Sequence, residues 1–194
     1  MITNTANLQK QNNKFIAGMM PNDHNIEFVG IPATEEVIWF QRGHTHQFKH
    51  LPRLEYNLLL EAYLENPGAA AYCRKKSDDQ RRQVEIFTYH MYGEADFTPD
   101  IIDGVLQPSE NYRHSKEWNY ENWSNKHITI NGHHLNTRQI AICDMMLEDK
   151  LDKQMADALN IAVSTLPHHK RKLYELAGVQ SKAQFVMVLK DERI

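Results

Sequence analysis

Hydrophobic positions change period several times along the chain, and each change marks an element. Residues 1–25 are rich in Asn and Gln, with Phe15–Met20 as one apolar island, and predict a polar tail. Ile26, Phe28 and Gly30 then alternate with their neighbours, and Val37-Ile38-Trp39-Phe40 is a short β-branched and aromatic run, so residues 26–50 predict strands. Residues 52–65 predict a helix, with Pro52 suited to the first turn and Leu54, Leu58 and Tyr63 on its apolar face. Asn66-Pro67-Gly68 stops it, and a short helix follows over 69–76. Ser77-Asp78-Asp79-Gln80 reads as a capping box, in which the Ser and Gln side chains satisfy each other's open backbone donors. The helix it opens runs to Tyr92, with Val84, Phe87 and Met91 inward and Gly93 at its end.

Residues 94–125 show no period and contain Pro99, Pro108, Trp118 and Trp123, so they predict an irregular segment. In HITINGHH, Ile128 and Ile130 alternate and Asn131-Gly132 supplies a two-residue hairpin turn. That hairpin, residues 126–134, is expected to join two domains. From residue 137 the pattern becomes helical. Ile140, Ala141, Met145 and Met146 share one face of a first helix. Asp152 can cap a second, with Met155, Ala156 and Leu159 inward. A third covers about 165–177 through Leu166, Leu173 and Leu176. Ser181-Lys182-Ala183-Gln184 is another capping box and opens a fourth helix with Phe185, Val186 and Leu189. The expected class is mainly α: an α+β domain over 26–125, then an all-α four-helix domain over 135–194. Short helices with a tight connection near Asn160 fit a helix-turn-helix.

Composition narrows the picture. The chain has 194 residues, 41% of them hydrophobic and 24% charged, which suits folded domains rather than disorder. Two cysteines, Cys73 and Cys143, make neither a disulfide framework nor a Cys-based zinc site, and a cytoplasmic location is the expectation. The polar N-terminus has no apolar signal core, and no run approaches the roughly 20 apolar residues that span a bilayer. A net charge of −3 gives no general attraction to nucleic acid, so any DNA contact has to rest on a local basic surface.

Such a surface is encoded near the C-terminus. Leu135-Asn136-Thr137-Arg138-Gln139, Lys153-Gln154-Met155-Ala156, Leu159-Asn160-Ile161-Ala162, Thr165-Leu166-Pro167-His168-His169 and Ala177-Gly178-Val179-Gln180-Ser181-Lys182 follow one another without a gap. This ordered set resembles the LuxR-type helix-turn-helix, over roughly the last third of the chain. The resemblance implies a transcriptional regulator that reads double-stranded DNA with its third helix, about 164–177. It places Pro167, His168 and Arg171 toward the groove, with His169 beside them, Lys170 and Lys172 adding charge, and Thr165, Lys153 and Lys182 at the backbone. It also implies a homodimer through the fourth helix, with an exposed apolar side formed by Phe185, Val186 and Leu189. Two positions depart from the family. Pro167 stands where a base-facing lysine is usual, and Asp149 stands where a glycine precedes the second helix. A helix starting at Ala162 would be kinked by Pro167; one capped by Ser164 would hold it in the first turn, and this start is preferred. Asp144, Glu148, Asp149, Asp152 and Asp157 make the first two helices acidic. An alternative reading is therefore a non-enzymatic interaction or phage assembly protein with a degenerate helix-turn-helix.

Residues 26–125 resemble neither a phosphoacceptor receiver nor an acyl-homoserine-lactone domain, and stay open to a protein partner or a small ligand. His44, His46 and His50 could share a strand face, but no carboxylate or cysteine near them in sequence completes a metal site. His133 and His134 follow the turn and are expected to be exposed. Arg74-Lys75-Lys76 with Arg81-Arg82 reads as a solvated helix end or an extension of a phosphate surface. Trp118, Tyr120 and Trp123 could line a pocket or pin an irregular segment to a core. With no glycine-rich phosphate loop, nucleophile–base pair or paired carboxylates, neither enzyme activity nor a cofactor is expected.

Overall fold

The computed structural model describes residues 15–114, 123 and 126–194; Trp118, Tyr120 and the first part of the polar tail lie outside them. The chain is a mixed, helix-rich protein with small antiparallel sheets and two compact units. The described part of the first comprises residues 15–110 and Trp123; that of the second comprises 111–114 and 126–194.

The first unit opens with a three-stranded antiparallel meander of β1 (Glu27–Ile31), β2 (Glu36–Gln41) and β3 (His44–Gln47). Phe28 pairs with Trp39 and Gly30 with Val37, so one sheet face carries Phe28, Val37 and Trp39, all buried. Helix α3 (Gln80–Tyr92) packs against β1 and β2, and α1 (Arg53–Leu64) and α2 (Pro67–Lys76) pack against α3. Gly30 permits the approach: a Cβ there would meet the Tyr89 ring at 2.5 Å. Tyr63 and Phe87 meet edge to face, and Phe87 stacks on Trp123 at 5.8 Å, so the Trp123 ring belongs to this core.

Several local expectations shift by a few residues. Leu54 is 77% exposed, and Leu59 is the buried leucine of α1. Asn66-Pro67-Gly68 both separates α1 from α2 and starts α2, with the Asn66 side chain accepting from the Ala69 amide. Asp79, not Ser77, caps α3: its carboxylate accepts from the Arg81 amide, while the Ser77 hydroxyl accepts from the Asp79 amide two residues on. The segment read as irregular contains a two-residue hairpin, β4 (Ile101–Ile102) and β5 (Val105–Leu106). Asp103 and Gly104 form its turn at φ 50° and 79°, the left-handed pair such a turn requires.

The second unit contains β6 (Thr129–Ile130) and β7 (His133–His134), with Asn131 and Gly132 turning at φ 48° and 75°. Ile128 and Ile130 of this hairpin are buried in the same core as α4 (Thr137–Leu147), α5 (Asp152–Ala158), α6 (Leu166–Ala177) and α7 (Lys182–Asp191). Its centre is Ile142, Cys143, Met146, Met155, Leu166, Leu173, Phe185 and Leu189. The inward face of α4 is thus rotated from the expected one: Ile140 and Met145 are half-buried, and Ile142 and Cys143 lie inside. Phe185 and Leu189 are fully buried, which removes them from any exposed dimer surface; on α7, Met187 is 65% exposed and Val186 half-buried. Asn111 holds the unit's edge. Its side chain donates to the Thr129 and Glu192 carbonyls and accepts from the Thr129 amide. Arg113 forms a two-point ion pair with Asp144. Among the described residues no helix is long and apolar enough to cross a membrane.

Candidate nucleic-acid interface

The site is built on α5, α6 and the connection between them. Helix α5 ends at Ala158, where Asn160 turns the chain at φ 51° and the Ile161 amide donates back to the Ala156 carbonyl. Val163–Thr165 form a single 3-10 turn before α6 starts at Leu166. Pro167 falls in the first turn of α6, where a missing amide costs no helical hydrogen bond. Ser164 does not cap: it lies inside the 3-10 turn, and Thr165 precedes α6 without a side-chain cap. Nor does Asp152 cap α5; it is the first helical residue, and Gln154 reaches back to the Leu151 amide. Asp149 adopts φ 55°. Glycine reaches this conformation without strain, and aspartate is among the few other residues that tolerate it.

Leu166, Leu173 and Ala177 anchor α6 in the core, and the 3.6-residue period turns Pro167, His168, Arg171, Lys172 and Glu175 outward. Arg171 lies 3.6 Å from the Glu175 carboxylate, with both side chains about two-thirds exposed, and its Nη2 is 3.4 Å from His168 Nδ1. The arginine is therefore tethered but solvated. His169 and Lys170 are half-buried on opposite flanks of the helix. Lys170 donates to Asp152 at the start of α5, and Lys182 donates to Asp149. That bond raises the Lys182 pKa and lowers that of Asp149. Lys153 and Thr165 are exposed. Among the described residues, Lys153, Lys172 and Arg138 have no carboxylate partner, so these three cations are uncompensated.

Elsewhere, basic and histidine-rich sequence serves structure. Arg81 donates to the Phe48 and Leu51 carbonyls and lies over Tyr56, while Arg82 donates to the Thr34 and Glu35 carbonyls and to Glu85. Lys76 pairs with Glu35. His46 stacks on Trp39 at 4.2 Å, and His44 meets His46 edge to face rather than converging on a common point. His133 and His134 are exposed.

The first unit also holds a carboxylate trio that no local motif in the sequence announces. Glu27, Asp100 and Glu110 bring one oxygen each within 4.8 Å of one another. The Phe28, Asp96 and Glu94 amides hold one carboxylate each. Three carboxylates that close and this buried do not all stay ionised. Desolvation, then Glu110 and Glu27, hold Asp100 well above the usual carboxylate range.

Comparison with known proteins adds no relative. No family model matches the chain, and no curated protein or solved structure matches it.

Proposed function

We propose that this protein is a DNA-binding transcriptional regulator whose C-terminal unit is a four-helix helix-turn-helix, with α6 as the helix that enters the major groove. The observation that carries the reading is the exposed stripe His168, Arg171 and Lys172 on a helix whose other side is fixed by buried Leu166, Leu173 and Ala177. A rigid helix with an outward arginine suits base reading, because arginine matches the two acceptors of guanine in that groove. Lys153, Thr165 and Lys172 are placed for phosphates, which set register without reading sequence. A homodimer belongs to this reading, with exposed Met187 and half-buried Val186 as the apolar side chains that α7 leaves for it. Binding to genomic fragments and to random duplexes across a salt series tests it. The expected result is a linear fall of log affinity with log salt and a preference for some sequences. Absence of both would reject it.

One observation favours a second reading. Lys170, Lys182 and Arg171 all face carboxylates of their own unit, which offsets much of the positive charge that a polyanion would meet. On that reading the C-terminal unit is a protein-interaction scaffold, and binding in the salt series would be weak and without sequence preference.

A further inference from the structure

A pocket of about 410 Å³ opens between the start of α4 and α6, lined by Asn136, Arg138, Gln139, His169 and Lys172. All five lining residues carry a polar or charged group. Two of its five side chains are the uncompensated cations Arg138 and Lys172, one from each helix, and His169 is half-buried. The start of α4 also carries open backbone donors. Asn136 and Gln139 cap each other, each side chain accepting from the other's amide at 2.9 Å. That leaves the Thr137 and Arg138 amides as the open donors of the α4 start. A cation in the first turn opposes the helix dipole, so Arg138 is placed against the interest of helix stability. Lys172 belongs both to this pocket and to the exposed stripe of α6, so an anion seated here continues onto the face that carries His168 and Arg171.

We propose that this pocket seats one phosphate of the DNA backbone, with Arg138 and Lys172 as its cations and His169 as a further donor. The proposal rests on the DNA-binding reading and divides the labour of α6. Arg171 and His168 face bases, while Lys172 works with α4 to fix the helix's register against one strand. An extended polyanion is favoured over a free phosphate because the pocket is open and shares a lysine with the neighbouring cationic stripe.

The test is a salt series of DNA affinity for the full chain and for Arg138→Gln, Lys172→Gln and Lys190→Gln, the last removing the same charge from the end of α7. The pocket variants are expected to lose affinity equally for preferred and random duplexes, with the salt slope reduced by about 0.9 each, and Lys190→Gln to keep the wild-type slope. Arg138→Gln should also melt no lower than the wild type, which a merely structural arginine would not allow. DNA binding by the wild type with an unchanged slope in both pocket variants would overturn the phosphate seat while leaving the DNA reading intact. To separate the sources, inorganic phosphate is titrated against the Thr137 and Arg138 amide resonances. Shifts there without DNA binding by the wild type would overturn the DNA reading and the assigned occupant together.

Discussion

Lys170 of α6 donates to the carboxylate of Asp152, the first residue of α5, and so ties the two central helices together at a point where a phosphate contact is expected. Lysine and aspartate cannot both satisfy each other and leave the lysine free for DNA. Asp152→Asn should release it. The expected outcome is higher DNA affinity and a salt slope steeper by about 0.9. Stability should fall by about 1 kcal/mol or less, because the Asp152 side chain is half exposed and surface pairs contribute little. Parallel melting and binding curves check both halves. A lower affinity would show that the pair orders α6 rather than masks it.

Arg171 is held only loosely by Glu175 and His168, so it can turn toward a base without breaking a buried contact. Arg171→Ala should weaken binding to the preferred sequence by about 1–3 kcal/mol and relax the preference at one position. Random duplexes should be affected much less. A uniform loss across sequences would reassign Arg171 to the backbone.

The first unit offers a pH test. The folded state holds a proton on Asp100 above the pH at which an unfolded aspartate has lost it. Between those two pH values the folded state carries more protons, so stability falls as pH rises from the usual carboxylate range through the raised value. Asp100→Asn keeps an acceptor for the Phe28 amide and removes the charge conflict. The variant should melt higher than the wild type near neutral pH, and the difference should shrink on acidification. Thermal melts from pH 4 to 8 check it; a lower melting temperature at neutral pH would mean that the charged form is stabilised by other groups.

Gly30 sets the distance between β1 and α3. Gly30→Ala would drive a methyl group into the Tyr89 ring, which is itself buried, and should cost about 1–3 kcal/mol. Tyr89→Leu in the same chain should recover part of the loss. Denaturant unfolding of the single and double variants reads the coupling.

The parts of this structure that were legible in the sequence are those in which local chemistry decides. Asn131-Gly132 fixes its own turn, Ser181 caps α7, and the apolar period of 166–177 sets a helix that buries Leu166 and Leu173. Where position depends on distant neighbours, the local pattern does not determine it. The choice between Leu54 and Leu59 on α1 turns on which side α3 lies, and nothing within residues 52–65 says so. Phe185, Val186 and Leu189 read as one apolar stripe; only the packed core reveals that two of the three are consumed by it. The α4–α6 pocket joins Arg138 to Lys172, 34 positions later in the sequence, and the carboxylate trio joins Glu27 to Asp100 and Glu110. Such pairings carry no local signal.

Pro167 gives the most direct probe of whether α6 reads DNA. It is exposed, lies in the first turn and accepts no structural duty from its missing amide. Pro167→Lys places a cation at this outward position. It adds a cation to a helix start, which the dipole disfavours, and it frees the unfolded chain, so stability should fall by about 0.5–1.5 kcal/mol. Against that loss, the new ammonium joins His168 and Arg171 on the outward stripe. Affinity for duplex DNA should rise and the salt slope steepen, and the sequence preference should change if the lysine reaches a base edge rather than a phosphate. Affinity measured on a randomised duplex library for wild type and variant separates these outcomes. If the variant folds and gains no affinity at low salt, the outward stripe of α6 does not face DNA, and the protein-scaffold reading takes its place.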